Sequence, residues 1–538
     1  MSQTRSRFQH SGNDFETHNN PSEAEGNVKI GLEIHCQLTK LNTKLFCDCF
    51  SNYRDIYPNE NTCSICLGLP GSLPMLNKKA VEYASMICLA LNCDIPQKIT
   101  FYRKNYFYPD LPKNFQITQY NSYELSSIGY DGFLSYYDNK GESQVTENHT
   151  GKTAHIRRIQ LEEDPGKIIH EDNNSKQNNY CLIDYNRAGV ALVEIVTEPD
   201  FSNATDVRAF LSKITNIFEY LGVSDPDLEG AVRCDVNVSV KGGKKVEIKN
   251  ISSFKDVEKS IFYEITRQKT LSLHEINVKS ETRHWDEKRK ITIPARTKEE
   301  EEEYKYFPEP DIPRIILGIE FTEKIKEKMP ELPLERFKRY RENYNLSNHI
   351  SNILINNKKI CDFFEESLEI YNSPKEISNW IINELLSKTH EGRGESEEVE
   401  GKDKDGFNSL RNDRNRLFDT AVTPRQIADI AKLVEEKSIN RNIAKDIFYK
   451  SIKTGESPFK IIENRKIEKI LDSNVINTHI ENVLNDEKHL IEQSNTNPNV
   501  NNFILGKIMK KTNGRADPKL TLKLITESLL EKNKKKSI

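Results

Sequence analysis

No apolar run in this chain approaches the roughly 20 residues that a membrane-spanning helix requires. With 30% of its 538 residues charged and 36% apolar, the sequence excludes a helical membrane protein and leaves no membrane partner to expect. Cysteine is scarce too. Ten cysteines in so long a chain cannot make the disulfide scaffold of a small secreted protein, and a reducing, cytoplasmic compartment is expected. Bulk charge of one sign is missing, since the net charge is only -4. Any nucleic-acid contact must therefore come from a local basic surface. Phe503 to Ile538 offers one, with ten Lys/Arg against three Asp/Glu, a local charge of +7. The common phosphate and acyl signatures are absent as well. Gly151-Lys152-Thr153 resembles the end of a P-loop, but Thr146 stands where its first glycine must be. There is no G-x-S-x-G elbow and no convincing Ser/Lys or Cys/His nucleophile pair, which argues against a stand-alone amidase.

Four segments of the first half alternate apolar and polar residues with period two, as strands do when only one side meets a core. In Val28 to Leu38 the apolar set is Val28, Ile30, Leu32, Ile34, Cys36 and Leu38, which leaves Glu33, His35 and Gln37 on the other face. Val232 to Val240 leaves Arg233, Asp235, Asn237 and Ser239 together. Val246 and Ile248 alternate with Glu247 and Lys249, and Leu192 to Glu198 puts Glu194 and Glu198 on one face. The expectation is an antiparallel sheet with a packed back and a front that carries carboxylates, a His and basic groups. An ordinary wetted sheet face is the alternative reading of the same pattern.

The domains expected are a leader over 1–27, a sheet domain over 28–314, a helical domain over 315–420 and a tail domain over 421–538. The leader is polar, mixed in charge and without the apolar stretch of a signal peptide. Helical periodicity sets in after about Asp311, as in Ile377 to Leu386 and Ile427 to Leu433. Residues 390–416 are nearly devoid of apolar side chains and read as a charged, flexible insertion. Near the end, Phe503, Ile504 and Ile508 share a helical stripe, the chain breaks at Asn513-Gly514, and Asp517-Pro518 opens a last helix with Leu520, Leu524 and Ile525 inward.

Two motifs suggest metals. Cys47-x-Cys49, thirteen residues, then Cys63-x-x-Cys66 has the pairing of a four-thiolate zinc site, closed and therefore structural, bracing a loop over 47–66 between two strands. Four buried free cysteines are the alternative. Leu161-Glu162-Glu163-Asp164-Pro165-Gly166-Lys167 sets three acids before a turn. Their mutual repulsion is relieved most simply by a hard divalent cation, and with Glu33, His35 and Asp235 they are candidates to hold magnesium against nucleotide phosphates; an exposed acidic turn is the competing reading. Arg103 to Asp110 interleaves basic and aromatic residues, suited to phosphate contact and stacking, while Tyr304 to Asp311 is stiffened by Pro308 and Pro310.

Ile30-Gly31-Leu32-Glu33-Ile34-His35, Leu76 to Val81, Arg103 to Asp110, Leu161 to Asp164, Leu192 to Asp200, Arg233 to Asn237 and Tyr306 to Asp311, in this order, resemble the B subunit of the heterotrimeric aspartyl/glutamyl-tRNA amidotransferase over about Val28 to Lys532. The resemblance implies an α+β chain: a cradle domain related to the glutamine-synthetase catalytic fold, a helical domain and a tail that contacts tRNA. It implies an amidase A subunit and a small C subunit as partners, and ATP-dependent phosphorylation of the carboxylate of Glu-tRNA(Gln) or Asp-tRNA(Asn) before ammonia displaces the phosphate. Carried over by position, Glu33, His35, Glu162, Glu163 and Asp235 are the catalytic residues, with magnesium on Glu33, His35, Glu163 and Asp235. Arg233, Glu247 and Lys249 are the weaker nucleotide-binding candidates. Either Glu163→Gln or His35→Ala is expected to abolish amidation while tRNA binding survives. The four cysteines match only part of the family. Lys305 stands where an Arg is common, and the insertion over 390–416 departs from the pattern.

Overall fold

Period-two alternation becomes strand wherever one face can be buried. In the computed structural model of this chain the first of two compact units, Met1–Pro333, contains β1 (Val28–Gln37), α1 (Lys78–Ala90), β2 (Lys98–Ile99), β3 (Tyr102–Asn105), β4 (Phe115–Thr118), β5 (Gly129–Tyr136), β6 (Lys152–Glu163), β7 (Lys167–His170), β8 (Cys181–Asp184), β9 (Ala191–Thr197), α2 (Ala204–Leu221), β10 (Val232–Val240), β11 (Val246–Lys249), α3 (Phe254–Leu273), β12 (Glu281–Asp286), β13 (Ile291–Thr297), β14 (Phe307–Pro308), β15 (Ile315–Ile316) and α4 (Ile319–Glu327). The structure describes residues 28–122, 124–136, 151–170, 180–241, 243–249, 251, 253–297, 304–386, 422–465, 472–487, 489–494, 499–512 and 516–536. The expected leader over 1–27 and charged insertion over 390–416 lie outside the described residues, as does Asn513-Gly514.

Eight strands form one sheet in the order β13-β12-β11-β10-β1-β9-β6-β5. All neighbours are antiparallel except β11 and β12, which run parallel. The expected antiparallel sheet is found at every other pairing and departs only at this one. Between its two strands the chain crosses over through α3, whose length lets the next strand enter in the same direction. Ile30, Leu32, Ile34 and Cys36 of β1 lie in register with Val238, Val236 and Cys234 of β10 and with Ile195 and Val193 of β9. All belong to one buried cluster, to which α2 adds Phe210, Ile214 and Phe218 and α3 adds Val257 and Ile261. The two helices are capped by their own sequence: the side chains of Asn203 and Ser253 accept from the backbone N–H of Asp206 and Asp256.

Strand β6 breaks its own alternation. Its register slips between Ile156 and Arg158, leaving Arg157 as an extra residue. Ala154 and Ile156 before the bulge, and Ile159 and Leu161 after it, therefore all reach the core. Arg158, Gln160 and Glu162 face the front. A second sheet, in the order β14-β3-β4, lies beside this front and ties to β6 through Thr118, whose hydroxyl donates to Glu162 at 2.8 Å.

The second unit, Leu334–Ile538, is helical throughout its described residues. The helix expected over Ile377–Leu386 is α-helical over Pro374–Trp380 and continues as a π turn over Ile381–Leu385. The last two helices, Val500–Lys511 and Pro518–Lys536, share a small core through Ile504, Ile508, Ile525 and Leu529. Asp517 caps the second of them, accepting from Leu520 N–H at 2.9 Å. Phe503, expected on the buried stripe, is instead exposed and lies under the Lys507 ammonium, because the inward arc at this end is filled by Val500 and Ile504.

Candidate active site

Strand pairing sets the front face in rows. Asp235, Glu33, Val196 and Arg158 lie side by side on four successive strands, and the next row is Arg233, His35, Glu194 and Gln160. Adjacent strands are roughly 4.8 Å apart, so these side chains share one floor. The His35 imidazole is its centre: Nε2 lies 3.5 Å from Glu194, 3.6 Å from Glu33 and 3.9 Å from Glu162. Ligand atoms of Glu33, His35 and Asp235 lie within 4.8 Å of one another, and so do those of His35, Glu162 and Glu194. Lys249 stands at one end, 2.7 Å from Asp235 and 3.6 Å from Glu247, and Glu247 also accepts from Thr282. The floor opens into a cavity of about 340 Å³, walled on the far side by Lys104, Tyr120, Tyr304 and Tyr306. Tyr120 and Tyr306 stack with centroids 3.9 Å apart, and Lys104 lies over the Tyr304 ring.

The carboxylates dominate the electrostatics. Burial alone would depress the His35 pKa, but the hydrogen bond to Glu194 and the charges of Glu33, Glu194 and Glu162 outweigh it and hold the imidazolium to about 9. Burial pushes Glu162 up to about 7, with Glu194 adding to the rise, and burial likewise raises Glu33. Glu194 takes the opposite course. Burial works against its charge, but the His35 bond prevails and draws it to about 2. A field that keeps a buried imidazole protonated well above neutrality is one that attracts a divalent cation. The carboxylate oxygens, with the imidazole once it has given up its proton, form a donor set that can hold magnesium.

The three adjacent acids do not act together. Alternation sends Glu162 to the front and turns Glu163 to the back, paired in register with Ala191. There Glu163 receives the Lys113 ammonium at 2.5 Å and the Ile117 N–H at 2.9 Å, away from the His35 cluster. Asp164 is fully buried beyond the strand end, accepting from Arg233 at 2.8 Å and Gln37 at 2.6 Å. Arg233 is thus committed to a structural pair, and the acids find cations within the chain. Glu198 leaves the floor as well, to pair with Arg157. Glu194 is the cluster member that the candidate set lacked. Its place beside His35 was legible from the alternation of β9, whereas Lys104 and Arg158 enter only through tertiary packing.

Burial opposes the charge on Asp164, but the Arg233 and Arg187 guanidiniums and the Gln37 bond hold its carboxyl below the usual carboxylate range. A depressed folded value contributes stability above the unfolded pKa of about 3.9, and the contribution is lost as pH falls through the folded value. Asp164→Asn should therefore lower stability at neutral pH yet flatten the acid decline below about pH 4. Urea unfolding at a series of pH values checks this; an unchanged acid slope would refute it.

The sulfurs of Cys47, Cys49, Cys63 and Cys66 lie within 4.8 Å of one another. The loop they close joins β1 to α1, not two strands as expected, because the residues after it take up a helix capped by Asn77. The Cys66 sulfur accepts from the Cys63 N–H at 3.1 Å and faces the Lys44 ammonium at 3.8 Å. A bond from the Cys47 thiol, helped by Lys44 against burial, draws Cys66 down to about 4. Four convergent sulfurs, one readily ionised, can hold a tetrahedral ion. Gly189, at φ +87°, passes close to the Cys66 side chain, a conformation that costs glycine little. Asn61 N–H donates to Asn186 and Asn59 N–H to Asp184, pinning the loop to the turn before β9.

The first unit thus carries a carboxylate-lined pocket on a half-buried sheet and a cysteine knuckle, and a helical unit follows it in the chain, the layout of a two-part catalytic subunit. Residues 28–323 match the GatB/GatE catalytic domain, and residues 362–529 match the GatB domain. The B subunit of the aspartyl/glutamyl-tRNA(Asn/Gln) amidotransferase from Saccharolobus solfataricus is 41% identical over 502 residues, which cover 93% of this chain and 99% of that protein. Its namesake in Thermotoga neapolitana is 39% identical over 511 residues, 93% of this chain and 98% of its own. The chain belongs to the GatB/GatE family.

Proposed function

We propose that this chain is the B subunit of a tRNA-dependent amidotransferase that converts Glu-tRNA(Gln), Asp-tRNA(Asn) or both to the amide form, using ATP. The His35-centred carboxylate cluster at the base of a polar cavity carries this reading. A carboxylate cannot expel oxide, so the substrate oxygen attacks the γ-phosphorus, the bond to ADP breaks, and an acyl phosphate results. Ammonia then attacks the acyl carbon, phosphate leaves with the C–O electron pair, and one proton is lost. Magnesium, when bound, neutralises the phosphoryl oxygens. Glu33, His35 and Asp235, with Glu162 and Glu194, are the groups that would hold it; Lys249 and Glu247 flank the phosphate end. The absence of an amidase nucleophile fits an A subunit that releases ammonia from glutamine, with a small C subunit completing the complex in the cytoplasm. The sheet layer is read as a cradle of the glutamine-synthetase kind, and the four cysteines as a structural zinc site.

Purified complex given labelled ATP and Glu-tRNA(Gln) without glutamine should trap labelled phosphate on the aminoacyl-tRNA. No label, with tRNA still bound, would overturn the kinase role in favour of a scaffold. The terminal helices are the proposed tRNA contact, through exposed Lys510, Lys519 and Lys523. Replacing all three with Gln should weaken tRNA binding and cut the log–log salt slope by about one per lysine that meets a phosphate. An unchanged slope would place the tRNA elsewhere.

A further inference from the structure

We infer that Arg158 is the residue that receives the side-chain carboxylate of the aminoacyl ester, an assignment that rests on the proposed function. The cations around the pocket are not equivalent. Lys249 is held by Asp235 and Glu247, and Arg233 by Asp164. Lys104 lies over the rings of Tyr304 and Tyr106. Arg158 lines the cavity, is the only planar fork among these cations not held by a close carboxylate, and makes one long, shared ion pair. Its Nε donates to the neutral Gln160 Oε1 at 3.1 Å, and its nearest acid, Glu194, is 3.8 Å away and already taken by His35. Among the described residues nothing else engages its two Nη groups.

The position follows from the sheet. Arg158 shares a row with Glu33 and Asp235, and only Val196 stands between it and Glu33. Two strand spacings, roughly 10 Å, separate the Arg158 backbone from that of Glu33, and the guanidinium reaches back to within 3.8 Å of Glu194. An anion lying over Val196 finds its donor on the Arg158 side and its phosphoryl donor on the Glu33 side. A bare carboxylate is repelled by Glu33, Glu162 and Glu194, and a planar fork is the group that best offsets that repulsion. The Gln160 bond fixes the fork by its Nε, and among the described residues the Nη groups have no closer acid than Glu194 at 3.8 Å. Arg157, next door, is turned outward to Glu198, which makes the bulge the device that selects one of two adjacent arginines.

The test uses the full chain in its amidotransferase complex, with wild type, Arg158→Ala and Arg158→Lys. The KM for the aminoacyl-tRNA should rise about 10- to 100-fold in Arg158→Ala, as expected for loss of a charge-assisted bidentate contact, while the KM for ATP stays near that of wild type. Arg158→Lys should recover only part, and added guanidinium should partly rescue Arg158→Ala. A rise in the KM for ATP alone would give the guanidinium to the phosphates and overturn the assignment, as would no change in either. A second measurement needs no chemistry: calorimetric binding of a stable glutamyl-adenosine amide against its glutaminyl counterpart. Wild type should favour the carboxylate, and Arg158→Ala should lose that preference. If wild type shows no ATP-dependent label, the kinase reading fails; if the charge preference persists in Arg158→Ala, the present inference fails.

Discussion

Glu162→Gln should lower acyl-phosphate formation about 10²–10³-fold, the range seen when one charge-stabilising group is removed from a transition-state site. Its neighbour Glu163→Gln should leave that step nearly unchanged and weaken the fold instead. The two acids are adjacent in sequence and isosteric in replacement, yet β6 turns them to opposite faces. Glu162 stands 3.9 Å from His35 in the cavity wall, and its bond from Thr118 survives amidation, so the variant loses charge rather than shape. At Glu163 the glutamine keeps the Ile117 N–H but strips a buried ammonium of its counter-charge. Breaking such a pair costs on the order of 3 kcal/mol. Labelled-phosphate trapping read beside urea unfolding separates the two outcomes, and equal loss of label in both variants would mean that the faces are misassigned.

The second large effect belongs to the knuckle. Wild type should carry about one zinc per chain and Cys66→Ser should lose it, because a closed four-thiolate site depends on each of its ligands. Since the ligands converge only in the folded chain, that binding free energy is folding free energy, and several kcal/mol of stability should go with it. Cys181→Ser, at an exposed and isolated cysteine, is the control and should change neither quantity. Metal analysis and thermal melts decide it. A full complement of zinc in Cys66→Ser would place the metal elsewhere, and no zinc in wild type would leave the sulfurs as a packed cluster.

Much of this was written in the sequence at the scale of single strands. Glu33, His35, Asp235, Glu194 and Glu247 each sit in a clean alternation, and pairing those strands was enough to collect them. Contiguous acids such as Glu162 and Glu163 suggest a shared ligand, but period two forbids neighbours on one strand from sharing a face. The commitment of Arg233 to Asp164 was hidden for a different reason. It joins β10 to a turn 69 residues earlier, and no local pattern carries such a pair. The parallel entry of β12 was hidden by α3, whose sequence reports a helix but not the direction of the strand that follows.

The extra residue in β6 has a consequence for how this chain tolerates change in length. Before Arg157 the even-numbered side chains fill the core, and after it the odd-numbered ones do. Deleting Arg157 would straighten the strand and keep both halves in phase, with Ala154, Ile156, Ile159 and Leu161 still inward, whereas deleting Gln160 would turn Leu161 to the front and drive Glu162 toward the core. The bulge is thus the one place in β6 where the strand can lose a residue without exchanging its faces, at the cost of the exposed Arg157–Glu198 pair.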